Sequence, residues 1–416
     1  MPTLILVLFL TFFALRVTVE IGLLVFNLRY SRQMGDEVPA PLREYLDQPT
    51  LQKSRAYTQT NGRFTLFEIV YGSLITLGIL FSGLLPALED WLGNLGLSDS
   101  HLFVVFLLAL SGVVTLANLP LSLYQTFTIE TRFGFNRQTW RTWIFDRTKG
   151  LALSLALGVP ILYCTYGLIS LAGNAWWLWL FAFLVVLQAF LLWLFPVLIA
   201  PLFNTYTPLP EGELKERLNV LASETGFKNR GLYVMDASRR SGHSNAYFTG
   251  LFRPRIVLFD TLIATMNVDE AAAVLAHEIG HYKGRHIQRR LVWSLVSMLV
   301  TLFILSKLIA WPPLFHAFGF IAPSYHAALA LLALGSGAFT YFFQPVEAWF
   351  SRRNEYQADR FSVRHSHSPG ALKTALIRLG GENLSNPTPH PWYSFWNYSH
   401  PTLLERIAAI DAESQG

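Results

Sequence analysis

The chain has 416 residues, 52% of them hydrophobic and 14% charged, with 12 Trp, 16 Tyr and 32 Phe. Soluble domains carry about 25% charged residues; this composition excludes a disordered chain and points to a protein dissolved largely in lipid. The net charge of +5 is modest and no nucleic-acid partner is expected, while the single cysteine, Cys164, excludes a disulfide scaffold and a cysteine zinc cluster.

A bilayer core needs about 20 mostly apolar residues per helix. Seven stretches qualify: 4–28, 66–88, 102–124, 150–172, 175–200, 291–311 and 324–346. The fifth, AWWLWLFAFLVVLQAFLLWLFPVLIA, holds no charge. The first carries Arg16 and Glu20, one turn apart and able to pair, and Glu68 begins the second. A signal peptide is the rival reading of the N-terminus. MPTL has no Lys or Arg and the apolar run is too long for one.

Lys and Arg mark cytoplasmic loops. They are plentiful in 29–65, 125–149 and 201–290, and absent from 89–101, 173–174 and 312–323. That alternation predicts an N-terminus outside and both 201–290 and 347–416 in the cytoplasm. Four parts are expected. Residues 1–204 form five spans with their loops. Residues 205–290 form an α+β catalytic domain, 291–346 form spans six and seven, and 347–416 form a cytoplasmic part that completes the site.

Within the insert, EGELKERLNVLASETG reads as an amphipathic helix. GLYVMDA, SNAYFTG and RIVLFDT read as short strands bounded by Gly and Pro. NVDEAAAVLAHEIGHYKGRH follows as a helix, with Asn267 and Glu270 placed for a capping box. The expected order is helix, small sheet, helix. GHSNAYFTG is either a packing strand or an edge strand whose free backbone pairs with an extended substrate.

His277-Glu278-Ile279-Gly280-His281 is an H-E-x-x-H motif. Residues i and i+4 share a helix face, so both imidazoles reach one zinc ion. Glu278, beside the first ligand, is placed to take a proton from water. A catalytic zinc needs a third protein ligand. His286 lies five residues on, about 140° further round a continuing helix, and reads as a surface or outer-layer residue. EAWFSRRNEYQADRFSVRH places Glu355 and Asp359 on one helix face. They suit a ligand and the carboxylate that holds a ligand histidine, and equally a solvated charged helix. His400-Pro401 reads as a helix start and Arg406 as a surface charge.

HEIGH, two spans, then SRRNEYQAD resembles the type 1 CAAX prenyl proteases. ETRFGFNRQTW, RRSGHSNAYFTGLF, ENLS, HPWYS and YSHPTLLERI resemble the same family, so the likeness covers nearly the whole chain. It implies a mainly α-helical integral membrane protein with seven transmembrane helices and a small α+β, gluzincin-like zinc-protease domain. It implies one zinc ion per chain, Glu355 as third ligand and Asp359 behind a ligand. His400 and Arg406 are implied near the oxyanion, and Asn245 and Ala246 as backbone contacts to substrate. It also implies a water-filled chamber, which periodicity does not reveal. Gly134-Phe135-Asn136 reads as a turn with no chemical role, and His243 is assigned none.

Three functions compete. The first is CAAX-type processing of prenylated peptides or proteins. The second is a membrane-protein quality-control protease with the same chemistry and no prenyl requirement. The third, a non-enzymatic receptor or transporter, leaves Glu278 without purpose. The ending DAESQG lacks a dilysine signal. That favours a bacterial inner membrane, with the endoplasmic reticulum as the eukaryotic alternative.

Overall fold

The computed structural model describes every residue except 35–36, 229–230, 250–254, 369 and 416. Gly250, Leu251 and Phe252 of the RRSGHSNAYFTGLF segment thus lie outside the described residues. Among the described residues, seven helices are long and apolar enough to cross a membrane. They begin with Pro2–Gln33 and Gln48–Phe81, and all seven expected stretches fall on them. The second span stops at Phe81, where Gly83 adopts a left-handed φ of 79° and starts a separate helix, Leu84–Gly93. The third continues past the expected boundary as a π-helical turn, Gln125–Glu130.

The spans pack at their ends and are open between. At the end bearing Leu84–Gly93, Phe9, Leu80, Phe106, Trp176, Leu305 and Phe315 join one apolar core. Further along, residues 65–78, 111–124, 140–164, 181–193 and 287–301 include no buried side chain. A helix in a filled bundle buries one face. These bury neither, so over these stretches the spans are not packed face to face. Arg16 and Glu20 pair at 3.3 Å on the first span.

Among the described residues the small sheet has four strands in the order β1-β2-β4-β3: β1 (Tyr206–Pro208), β2 (Leu232–Met235), β3 (Ala246–Thr249) and β4 (Arg255–Phe259). β2 and β4 are parallel, and β1 and β3 run antiparallel on the two edges. This corrects the expected order, because β1 precedes the helix Glu213–Glu224. It is three residues long and ends in proline, too brief to signal itself by alternation.

The HEIGH helix spans Val268–Lys283, and its capping box forms as expected. Asn267 Oδ1 accepts from Glu270 N at 2.8 Å, and Glu270 Oε2 accepts in return from Asn267 N at 3.0 Å. Its alanines, Ala271, Ala272, Ala273 and Ala276, are buried. They let the helix Gln344–His365, called here the carboxylate helix, lie close against it. The tightest approach is at Gly280. A Cβ there would stand 2.9 Å from Ala358 Cα and 3.1 Å from Ala358 O. Gly280→Ala is therefore expected to force two backbones apart, costing about 1–3 kcal/mol as overpacking does. Thermal unfolding in detergent, with metal content measured on the same sample, checks this.

Candidate active site

The crossing of these two helices brings His277, His281 and Glu355 together, each offering one donor atom within 4.8 Å of the others. His277 Nε2 and His281 Nε2 are 3.1 Å apart. Glu355 Oε2 is 3.5 Å from the first and Oε1 is 3.2 Å from the second. Zinc bonds of about 2.0–2.1 Å in tetrahedral geometry separate donors by roughly 3.3 Å. The three residues fit such an ion. Glu355 Oε2 is also buried without a hydrogen bond, which an ion between the three side chains would remedy.

His277 Nδ1 stands 2.8 Å from Asp359 Oδ1. An ionised carboxylate only accepts, so Nδ1 carries the hydrogen and the lone pair is left on Nε2, toward the cluster. Burial presses His277 toward neutrality, but the bond to Asp359 and the nearby Glu355 carboxylate outweigh it and raise its pKa to about 9. Metal binding displaces that proton. Burial also pushes the Glu278 carboxyl up, against the pull of the neighbouring imidazoles.

His400 and Arg406 occupy different places. His400 Nε2 lies 3.4 Å from Glu355 Oε1 with its side chain 62% exposed. Arg406 is 11% exposed and grips Asp359 through Nε at 2.8 Å and Nη2 at 2.6 Å. It sits behind His277 rather than on the open side. A scaffold from the first span sets this arrangement. Asn27 Oδ1 accepts from His390 N at 2.9 Å, which docks the helix Pro391–Asn397. Arg352 Nη1 then donates to Phe395 O and Tyr398 O, leading the chain to His400.

Asn245 and Ala246 lie at the start of edge strand β3. Asn245 O accepts from Phe259 N at 3.1 Å, and the Asn245 side chain accepts from Ala246 N. The segment before them is tied to the membrane part by residues that sequence reasoning left without roles. Glu130 accepts from Tyr57 Oη at 2.7 Å and lies 3.2 Å from His243 Nε2. Phe135 stacks on His243, and Phe135 O accepts from Gly242 N. Arg240 forks onto Asp146 at 2.7 and 3.1 Å. The ETRFGFN segment was the available signal: it holds Glu130 and Phe135.

The family model described as "CAAX prenyl protease N-terminal, five membrane helices" matches residues 27–205, and "Peptidase family M48" matches residues 208–414. The "CAAX prenyl protease 1" of Saccharomyces cerevisiae is 34% identical, over 93% of this chain and 91% of its own. The chain belongs to peptidase family M48. An Arabidopsis thaliana "CAAX prenyl protease 1 homolog" is 37% identical over 91% of each chain. The crystal structure of S. mikatae Ste24p superposes with a TM-score of 0.90 at 33% identity, over 96% of this chain and 97% of that one. This M48 protein is thus a multi-pass membrane metalloendopeptidase, and the receptor or transporter reading falls away.

The buried Arg406–Asp359 fork generates a stability prediction. Arg406→Ala leaves a buried carboxylate with one partner fewer, and breaking such a pair costs about 3–5 kcal/mol. Thermal unfolding in detergent is expected to register that loss, and an unchanged midpoint refutes it.

Proposed function

We propose that His277, His281 and Glu355 hold one zinc ion, and that the enzyme cleaves near the C-terminus of prenylated CAAX-type proteins or peptides. The observation that carries the site is the donor spacing of 3.1–3.5 Å around an orphaned carboxylate oxygen. The substrate class rests on the printed names of the relatives. The apolar mid-span stretches without buried side chains support it, since they offer a surface for a lipid chain.

A zinc ion held there supplies Lewis acidity, lowering the pKa of water and polarising the scissile carbonyl. Glu278 takes the proton of the attacking water and returns it to the leaving nitrogen. His400, exposed beside Glu355, donates to the oxygen on which charge develops. Arg406 acts one layer back, holding Asp359, which fixes the His277 tautomer. Asn245 and Ala246 are the contact positions for the extended substrate backbone on the open edge of β3, through groups other than Asn245 O, which is held by β4, and with the Asn245 side chain giving up Ala246 N. An edge strand reads backbone whatever chain supplies it, and this keeps the quality-control reading as the second one.

Residues 1–204 serve as the five-span part, 205–290 as the catalytic insert, 291–346 as the last two spans and 347–416 as the part that completes the site. The family-model boundary near 205 supports the first division. The Lys and Arg alternation supports an outside N-terminus and cytoplasmic catalytic parts. The host membrane is read as a bacterial inner membrane, with the endoplasmic reticulum as the alternative that the eukaryotic relatives support.

Three measurements test this reading. Purified protein is expected to cleave a farnesylated CAAX peptide much faster than the unmodified peptide, and Glu278→Gln to cleave neither while keeping its zinc. Equal cleavage of the two peptides decides for the second reading. In a chelator competition, Glu355→Ala is expected to lose far more zinc affinity than Asp359→Asn, whose loss stays near or below the low end of the 10–100-fold range for outer-layer partners. The reverse order exchanges the two carboxylates. A reporter fused after Gly93 is expected outside and one after Gly416 in the cytoplasm; finding both on one side removes the proposed topology.

A further inference from the structure

We infer that His286 and Gln357 set the tautomer of His281 and so decide whether the HEIGH motif presents its second nitrogen to metal. The inference rests on the reading of His281 as a ligand. His281 Nδ1 lies 2.9 Å from His286 Nδ1, and His286 Nε2 lies 3.0 Å from Gln357 Oε1. Two imidazole nitrogens facing each other need one donor and one acceptor. A carbonyl oxygen only accepts, so His286 carries its hydrogen on Nε2 and its lone pair on Nδ1. His281 must then donate from Nδ1, and its lone pair is left on Nε2, facing His277 and Glu355. With the chain of bonds reversed, the hydrogen sits on His281 Nε2 and the ligand is lost. The usual partner of a ligand histidine is a carboxylate, a backbone carbonyl or water. His277 has its carboxylate in Asp359. His281 has an imidazole, which works only in one orientation, and Gln357 supplies that orientation from two residues beyond Glu355.

The placement of His286 depends on two backbone features. On a continuing helix it would point about 140° away from His281. The HEIGH helix instead ends at Lys283, and Arg285 takes a left-handed φ of 54° before the sixth span begins at His286. A non-glycine residue there is strained by about 1–3 kcal/mol. The turn brings the buried His286 ring back under His281. Gly284 then leaves room for it. Gly284 has an ordinary helical φ of −69°, yet a Cβ would run into His286 Nε2 and stand 2.8 Å from Cε1. This glycine is there for space, not for conformation.

The experiment uses the full chain in detergent, stripped of metal and titrated with zinc against a competing chelator. Wild type is expected to bind one zinc and His277→Ala to lose it. If His277→Ala holds zinc unchanged, the ligand set itself fails, and this inference with it. Given that binding, His286→Leu is expected to weaken zinc by about 10–100-fold. Gly284→Ala is expected to weaken it in the same direction, although it removes no polar group. His286→Gln retains a carbonyl acceptor and is expected within about threefold of wild type, since carbonyls serve ligand histidines elsewhere. Thermal unfolding of the metal-free proteins separates a folding defect from a metal defect. Zinc held by His286→Leu as tightly as by wild type overturns the inference. So does His286→Gln falling as far as His286→Leu while both remain folded, because the ring is then only filling space.

Discussion

Two helices cross where Gly280 has no side chain, and the rest of the site depends on that contact. With about 3 Å between the Gly280 Cβ position and the backbone of Ala358, imidazoles from one helix meet a carboxylate from the other. Each neighbouring hydrogen bond then has a fixed place to go. Asp359 lies one turn beyond Glu355 and reaches His277, while Gln357 reaches His286. Ser362 closes the crossing by donating to Ala273 O at 2.6 Å. A glycine in a helix interior costs roughly 0.5–1 kcal/mol relative to alanine; here that cost is offset by a packing distance no other residue allows.

The sheet is held in register with the membrane part by polar bonds rather than by a shared apolar core. Glu130 closes the π-helical end of the third span and engages Tyr57 from the second span and His243 from the insert. The backbone bridge from Asn136 to Ser241 continues that attachment toward β3. On the other flank Arg240 reaches Asp146 at the base of the fourth span. π-helical turns recur at functional sites, and this one ends beside the edge strand. A small sheet that is itself thin thereby gains a stiff mounting.

Much of this was legible beforehand. The spans follow from hydropathy, because lipid leaves no alternative to a helix of sufficient length. The HEIGH helix follows from its capping box and alanines. The carboxylate pair did not: Glu355 and Asp359 with arginines around them satisfy a solvated helix equally well, and only the family resemblance favoured the site. His286 read as a surface or outer-layer residue on a continuing helix; Gly284 marked the helix end, but the left-handed turn at the non-glycine Arg285, which swings the ring under His281, could not be read from it. Arg406 read as a surface charge because its partner, Asp359, is 47 residues away in sequence. The loose packing of the mid-span stretches was invisible because a span that is not packed on its neighbours has the same hydropathy as one that is.

The third ligand, Glu355, lies past the apolar stretches of the sixth and seventh spans, and this orders events during synthesis. While the ribosome is still making residue 300, the HEIGH helix exists with two imidazoles and no Glu355. Two imidazoles and water fall short of the three protein ligands a catalytic zinc takes. The proposed site is completed only when the last span has been threaded and the carboxylate helix has folded back across Gly280. A nascent chain that fails to insert its final helices is left without the third ligand. Completion of the proposed site is thereby tied to insertion of the last spans.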